Sequence, residues 1–154
     1  MKQYHAPVSI TWAVRDSSAS TPKRNISGAT DAARILAPFL AQQSRELFVI
    51  LPLDTRGKTS GIRLVSMGNL SSSLVHPREV FREALLAEAA AIIIAHNHPS
   101  GDAEPSGEDL AVTRKLVAAG EILGVPVMDH LIIGAVDRWV SLEQRGLIQS
   151  REDR

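Results

Sequence analysis

The sequence contains no cysteine, which excludes disulfides, thiolate metal ligands and a cysteine nucleophile together. Any metal bound here must sit on nitrogen and oxygen donors. An excess of one charge is also missing. The 17 Lys and Arg residues balance 17 Asp and Glu residues, so no overall positive field draws the chain to nucleic acid or to an anionic membrane. A local basic patch is still compatible with that balance. Long apolar runs are absent as well. The longest, Ala89 to Ala95, falls far short of the roughly 20 residues a spanning helix needs. Residues 1–20 lack the charged start, apolar stretch and small-residue cleavage site of a signal peptide. Cytoplasmic residence is therefore expected. No internal repeat is visible.

What is present suits one domain. The chain has 154 residues, 44% of them apolar and 22% charged, which is enough to bury a core at the usual globular balance. The stretch SSASTPKRNIS (residues 17–27) has no apolar period and reads as a loop or linker. Residues 1–27 are accordingly expected to be a flexible N-terminal segment and residues 28–150 the domain.

Capping residues from Ser27 to Asp31 precede Ala32, Ile35, Leu36 and Leu40, the stripe of an amphipathic helix ending near Gln43. ELFVILPL (residues 46–53), the polar DTRGK and the alternating residues 60–66 predict a hairpin or a close pair of strands. Pro77 fits a first helical position, with Val80, Phe81, Ala84 and Leu85 as the buried face. AAIIIA (residues 90–95) predicts a strand covered on both sides. Residues 110–123 predict a helix stopped by Gly124 and Pro126, and residues 127–133 and 135–140 two strands, then a short helix from Leu142. This order argues for an α/β domain, a mixed β-sheet flanked by helices.

The chemistry concentrates after the apolar strand. His96 and His98 lie two apart at its end, so the period of two turns both imidazoles to one side. Asp109 falls in the first turn of the following helix, on the same stripe as Val112 and Leu116, and so faces inward. Burying that carboxylate asks for a compensating charge, which a divalent metal would supply. Two imidazoles and one carboxylate leave a fourth tetrahedral position for water, the mark of a catalytic zinc site. Each residue also has a plainer role: a histidine at a strand end as a surface residue, Asp109 favouring the helix dipole, and Ser106 as helix N-cap.

The spacing His-x-His, seven residues, Ser, two residues, Asp is met by His96, His98, Ser106 and Asp109. From Glu46 to about Gly134 the sequence resembles the JAB/MPN domain with its JAMM metalloprotease motif. HNHPSGDAEPSGEDLAVTRKL is similar to the RadC-like branch of that family, as are PREVFREAL and DHLIIG. The resemblance implies a cytidine-deaminase-like JAB/MPN architecture. It implies that His96, His98 and Asp109 hold zinc, that Ser106 stabilises the oxyanion, and that Glu46 is the general base for the attacking water. Glu79, Glu83 and Glu88 are nearer in sequence to the histidines than Glu46 is, and Asp129 and His130 are either partners of a ligand or a structural pair. The implied activity is zinc-dependent hydrolysis of amide or isopeptide bonds in a peptide or isopeptide-linked protein.

Three rival readings compete with this one. Ser100 and Gly101 stand where a metallo-β-lactamase motif requires Asp-His, and the zinc nucleoside deaminases need cysteines this chain lacks. The third is a DNA-repair or mobile-element accessory protein whose zinc is mainly structural. Its usual helix-hairpin-helix region has no counterpart in residues 1–27, and the neutral charge also speaks against nucleic acid. The oligomeric state is not legible.

Overall fold

A computed structural model describes residues 22–68 and 75–148. Along the chain these form β1 (Arg24–Asn25), α1 (Ala29–Leu40), β2 (Leu47–Leu53), β3 (Lys58–Thr59), β4 (Arg63–Met67), α2 (Pro77–Leu86), β5 (Ala91–Asn97), α3 (Gly107–Leu123), β6 (Val127–Ala135) and β7 (Arg138–Ser141). The main sheet has the order β4-β2-β5-β6-β7. It is mixed: β5 and β6 run parallel, joined by α3, and the other neighbours are antiparallel.

Strand periodicity divides the core into two layers. Val49 and Leu51 of β2 and Ile93 and Ala95 of β5 turn to one face, where Ala32, Ala33, Leu36 and Leu40 of α1 cover them. Phe48, Ile50, Ile92 and Ile94 turn to the other, under Val80, Phe81 and Ala84 of α2 and Val112 and Leu116 of α3. β5 is thus the central strand and is buried on both sides, as its unbroken apolar run predicts. Removing a fully buried side chain such as Leu36 or Leu116 should cost about 2–5 kcal/mol. The same alternation carries the next two residues of β5 apart: His96 to the α2/α3 face, Asn97 to the α1 face.

Most expected elements form, with four differences. Arg24–Asn25, within the stretch read as a linker, pairs antiparallel with Lys58–Thr59, and Lys23 bonds Asp54 in the adjoining turn. The earlier residues of that expected segment lie outside the described residues. The partner of β2 is β4, and β3 between them turns aside to β1. Leu85 is 57% exposed rather than part of the α2 core, because Phe81 and Ala84 already fill the contact with the sheet. The helix expected from Leu142 is a single turn. Ser141 Oγ and the Asp129 carboxylate bond the Gln144 and Glu143 N–H groups, and Gly146 at φ 70° bends the chain away.

Candidate metal centre

The site lies at the carboxyl end of β5, where α3 begins. The loop between them leads into Ser106, whose Oγ accepts from the Asp109 N–H while the Asp109 carboxylate accepts from the Ser106 N–H. This capping box fixes the first turn of α3 and the Asp109 side chain together. Asp109 is then only 9% exposed and His96 2%. Asp109 Oδ1 lies 3.0 Å from His96 Nε2, Oδ2 3.2 Å from His98 Nε2, and the two Nε2 atoms are 3.0 Å apart. The three expected ligands therefore form one cluster that offers a ligand atom each.

The donor set fits zinc. Two imidazoles and a carboxylate are donors zinc takes; one ligand atom from each residue lies within 4.8 Å of the others, with Oδ1 of the carboxylate against His96 and Oδ2 against His98. His98 Nδ1 is 2.7 Å from the Asp102 carbonyl, which only accepts, so Nδ1 donates to it and Nε2 is the nitrogen that faces the cluster. Burial pushes the Asp109 carboxyl up, but the hydrogen bonds of His96 and His98 outweigh it and hold the group well below the ordinary carboxylate range. The Asp109 carboxylate in turn raises His98 above the ordinary imidazole value against the pull of burial, helped by the Asp102 carbonyl and the charge of Glu46.

That last influence locates Glu46. Phe48 of β2 pairs with His96 of β5, and two residues back along one strand and forward along the other, Glu46 and His98 reach the same end of the sheet. Glu46 is half-buried there. Its rivals lie elsewhere: Glu79 pairs with Arg78 and Glu83 with Arg63 on α2, and Glu88 follows the end of that helix.

Asp129 and His130 divide between the two roles considered for them. Asp129 accepts from Ser141 Oγ and from the N–H groups of His130 and Glu143, a buried structural acceptor. His130 is fully buried and its Nε2 lies 2.8 Å from His96 Nδ1. Burial pushes its pKa well below the ordinary imidazole value, so the ring is neutral. Phe48 stacks on His96 with ring centroids 6.0 Å apart and closes the cluster from the sheet side.

A family model described as the RadC-like JAB domain matches residues 26–147. The chain belongs to the RadC-like JAB domain family. Proteins named UPF0758 are similar to it: one from Methanosarcina mazei is 46% identical over 83% of this chain and 56% of its own length. Another from Moorella thermoacetica is 52% identical over 77% of this chain and 51% of its own. The chain spans about half the length of the curated relatives it matches.

Two residues of this RadC-like domain escaped the sequence reading. Asn97, buried between the two histidines, accepts from Leu47 N–H at 2.7 Å and donates to the Arg45 carbonyl at 2.9 Å, which brackets Glu46. Thr113, one helical turn after Asp109, donates to the Asp109 carbonyl and contacts His130. The available signal was a polar residue on an apolar strand or stripe, which must find a partner when buried.

Proposed function

We propose that this RadC-like domain is a zinc-dependent hydrolase of amide or isopeptide bonds, acting on a peptide or an isopeptide-linked protein in the cytoplasm. The observation that carries the reading is the mutual contact of two imidazole nitrogens and a carboxylate, with a glutamate at the same sheet end. His96, His98 and Asp109 would hold the ion. Bound there, zinc supplies Lewis acidity that makes water a nucleophile near neutral pH and polarises a carbonyl.

The chain's own residues do the rest. The Glu46 carboxylate takes the proton of the attacking water and returns it to the departing amine nitrogen. Ser106 caps the helix that carries Asp109, and because its Oγ receives the Asp109 N–H, its hydroxyl proton is left for an oxyanion. Asp102 and the α3 capping box hold His98 and Asp109 in place. No described helix is long and apolar enough to cross a membrane.

The test is a screen of peptide and isopeptide substrates with zinc-loaded wild type and Glu46→Gln. The variant should keep stoichiometric zinc and lose about 10²- to 10⁴-fold in turnover. Full activity in zinc-loaded Glu46→Gln would overturn the base assignment, and a zinc-loaded wild type that cleaves none of the panel would count against hydrolysis.

A further inference from the structure

We propose that Arg145 positions the metal ligand His98 by clamping, through Glu104, the loop that carries Asp102; this rests on the metal-centre reading above. Of the three ligands, His96 is set by β5 and Asp109 by the α3 capping box, whereas His98 lies just beyond the last residue of β5. Its N–H bonds the Ile133 carbonyl, which holds its backbone. The turn of its ring depends instead on the Asp102 carbonyl, 2.7 Å from Nδ1. Asp102 belongs to neither helix nor strand, so no regular ladder keeps that carbonyl in place.

Contacts on both sides of Asp102 do so. The Gly101 carbonyl accepts from Arg138 Nη1 at 3.2 Å and lies close against Gly134 of β6. Ala103 is buried. The Glu104 N–H bonds the Asp102 carboxylate at 3.0 Å, and the Glu104 carboxylate takes both arms of Arg145: Nη2 to Oε1 at 2.7 Å and Nη1 to Oε2 at 2.8 Å. Solvent reaches this pair, and an exposed ion pair ordinarily adds little to stability. A two-pronged guanidinium–carboxylate contact nonetheless fixes direction, because both bonds form together only in one plane.

The anchor behind Arg145 is itself braced. Ser141 Oγ and the Asp129 carboxylate bond the Gln144 and Glu143 N–H groups, and the Arg145 N–H bonds the Ser141 carbonyl. On either side of this turn Leu142 and Ile148 are buried against Ile132 of β6. Because β6 is paired with β5, the clamp refers the Asp102 carbonyl to the same sheet that carries His96. Releasing Arg145 frees the carbonyl to drift from His98 without altering a ligand. Arg145 is thus a positioning residue for the metal centre, although 41 residues separate it from Glu104.

Charge exchange across the pair tests this. Loss of a direct outer partner of a ligand weakens metal binding about 10- to 100-fold, and Arg145 stands one contact further out, so Arg145→Glu and Glu104→Arg should each weaken zinc about 5- to 10-fold by chelator competition. The double variant, which can rebuild the pair with its charges exchanged, should return to within about twofold of wild type. In the metal-free protein Arg145→Glu should speed amide hydrogen exchange at Gly101 and Glu104 and leave the β5 and α3 amides as in wild type, a pattern that general destabilisation would not give. Unchanged exchange at those two amides, single variants that bind zinc as wild type does, or a double variant no better than the singles overturns the clamp alone. A wild type that takes up no zinc overturns the metal reading itself.

Discussion

Between the two histidines sits Asn97, whose side chain points away from them and holds the backbone on either side of Glu46. It is 1% exposed, so Asn97→Ala would strand the buried Leu47 N–H at a cost of about 1–3 kcal/mol and release the Arg45 carbonyl. We expect reduced stability by urea titration, and among folded molecules a fall in turnover larger than any fall in zinc affinity, because the ligands are untouched and the base is loosened. Equal losses in both would assign Asn97 to the ligands instead. The contrast with His96, His98 and Asp109 shows where sequence reading reaches. Those three sit within one short strand-loop-helix stretch, so local periodicity is enough to aim them at one point. Asn97 acts on Leu47, 50 residues earlier in the chain, and Thr113 acts on His130 across the α3–β6 crossover. Neither partnership exists until the strand order is known.

At the scale of elements, α3 enters the site through its capping box, and Ser106→Ala should cost about 1 kcal/mol through loss of the cap. If Ser106 also serves the oxyanion, turnover in folded Ser106→Ala falls; unchanged turnover would leave only the cap. The loop ahead of α3 rests on Gly134 of β6, where a Cβ would strike the Gly101 carbonyl and approach the Ala103 nitrogen at 3.1 Å. Gly134→Ala should therefore cost about 1–3 kcal/mol and shift the Asp102 carbonyl off His98, weakening zinc binding. An unchanged thermal midpoint would contradict that. The turn after β2 has its own pH signature: the Lys23 ammonium, then the Lys58 and Arg56 N–H groups, hold the Asp54 carboxyl down to about 2 from 3.8. Because the folded value is depressed, its stabilisation is complete above about 4 and is lost as pH falls towards about 2. Carbon NMR titration of Asp54 should show that low midpoint, and a midpoint near 3.8 would contradict the contacts. Long elements such as β5 and α3 were legible because period and punctuation agree. The two-residue β1 and β3 were not, since pairing so short leaves no period, and the exposed Leu85 fits a helical stripe whose neighbours already fill the contact.

For the whole molecule, the mixed sheet between α1 and the α2/α3 layer followed from the element order, and the family from one contiguous motif. The sheet brings β2, β5 and β6 to one end, so the site draws on three strands and a helix that chain order keeps apart. A ligand that binds only the folded state stabilises it by mass action, about 2.7 kcal/mol at a hundredfold excess over its Kd. For a chain of this size that raises Tm by about 5–10 °C, and a chelator should reverse it. Three side chains from β5 and α3 should close on a single divalent ion. Elemental analysis of the purified chain after zinc loading and desalting tests this directly: one zinc per wild-type chain and none in Asp109→Ala is expected, whereas a wild-type chain that retains no zinc would contradict it.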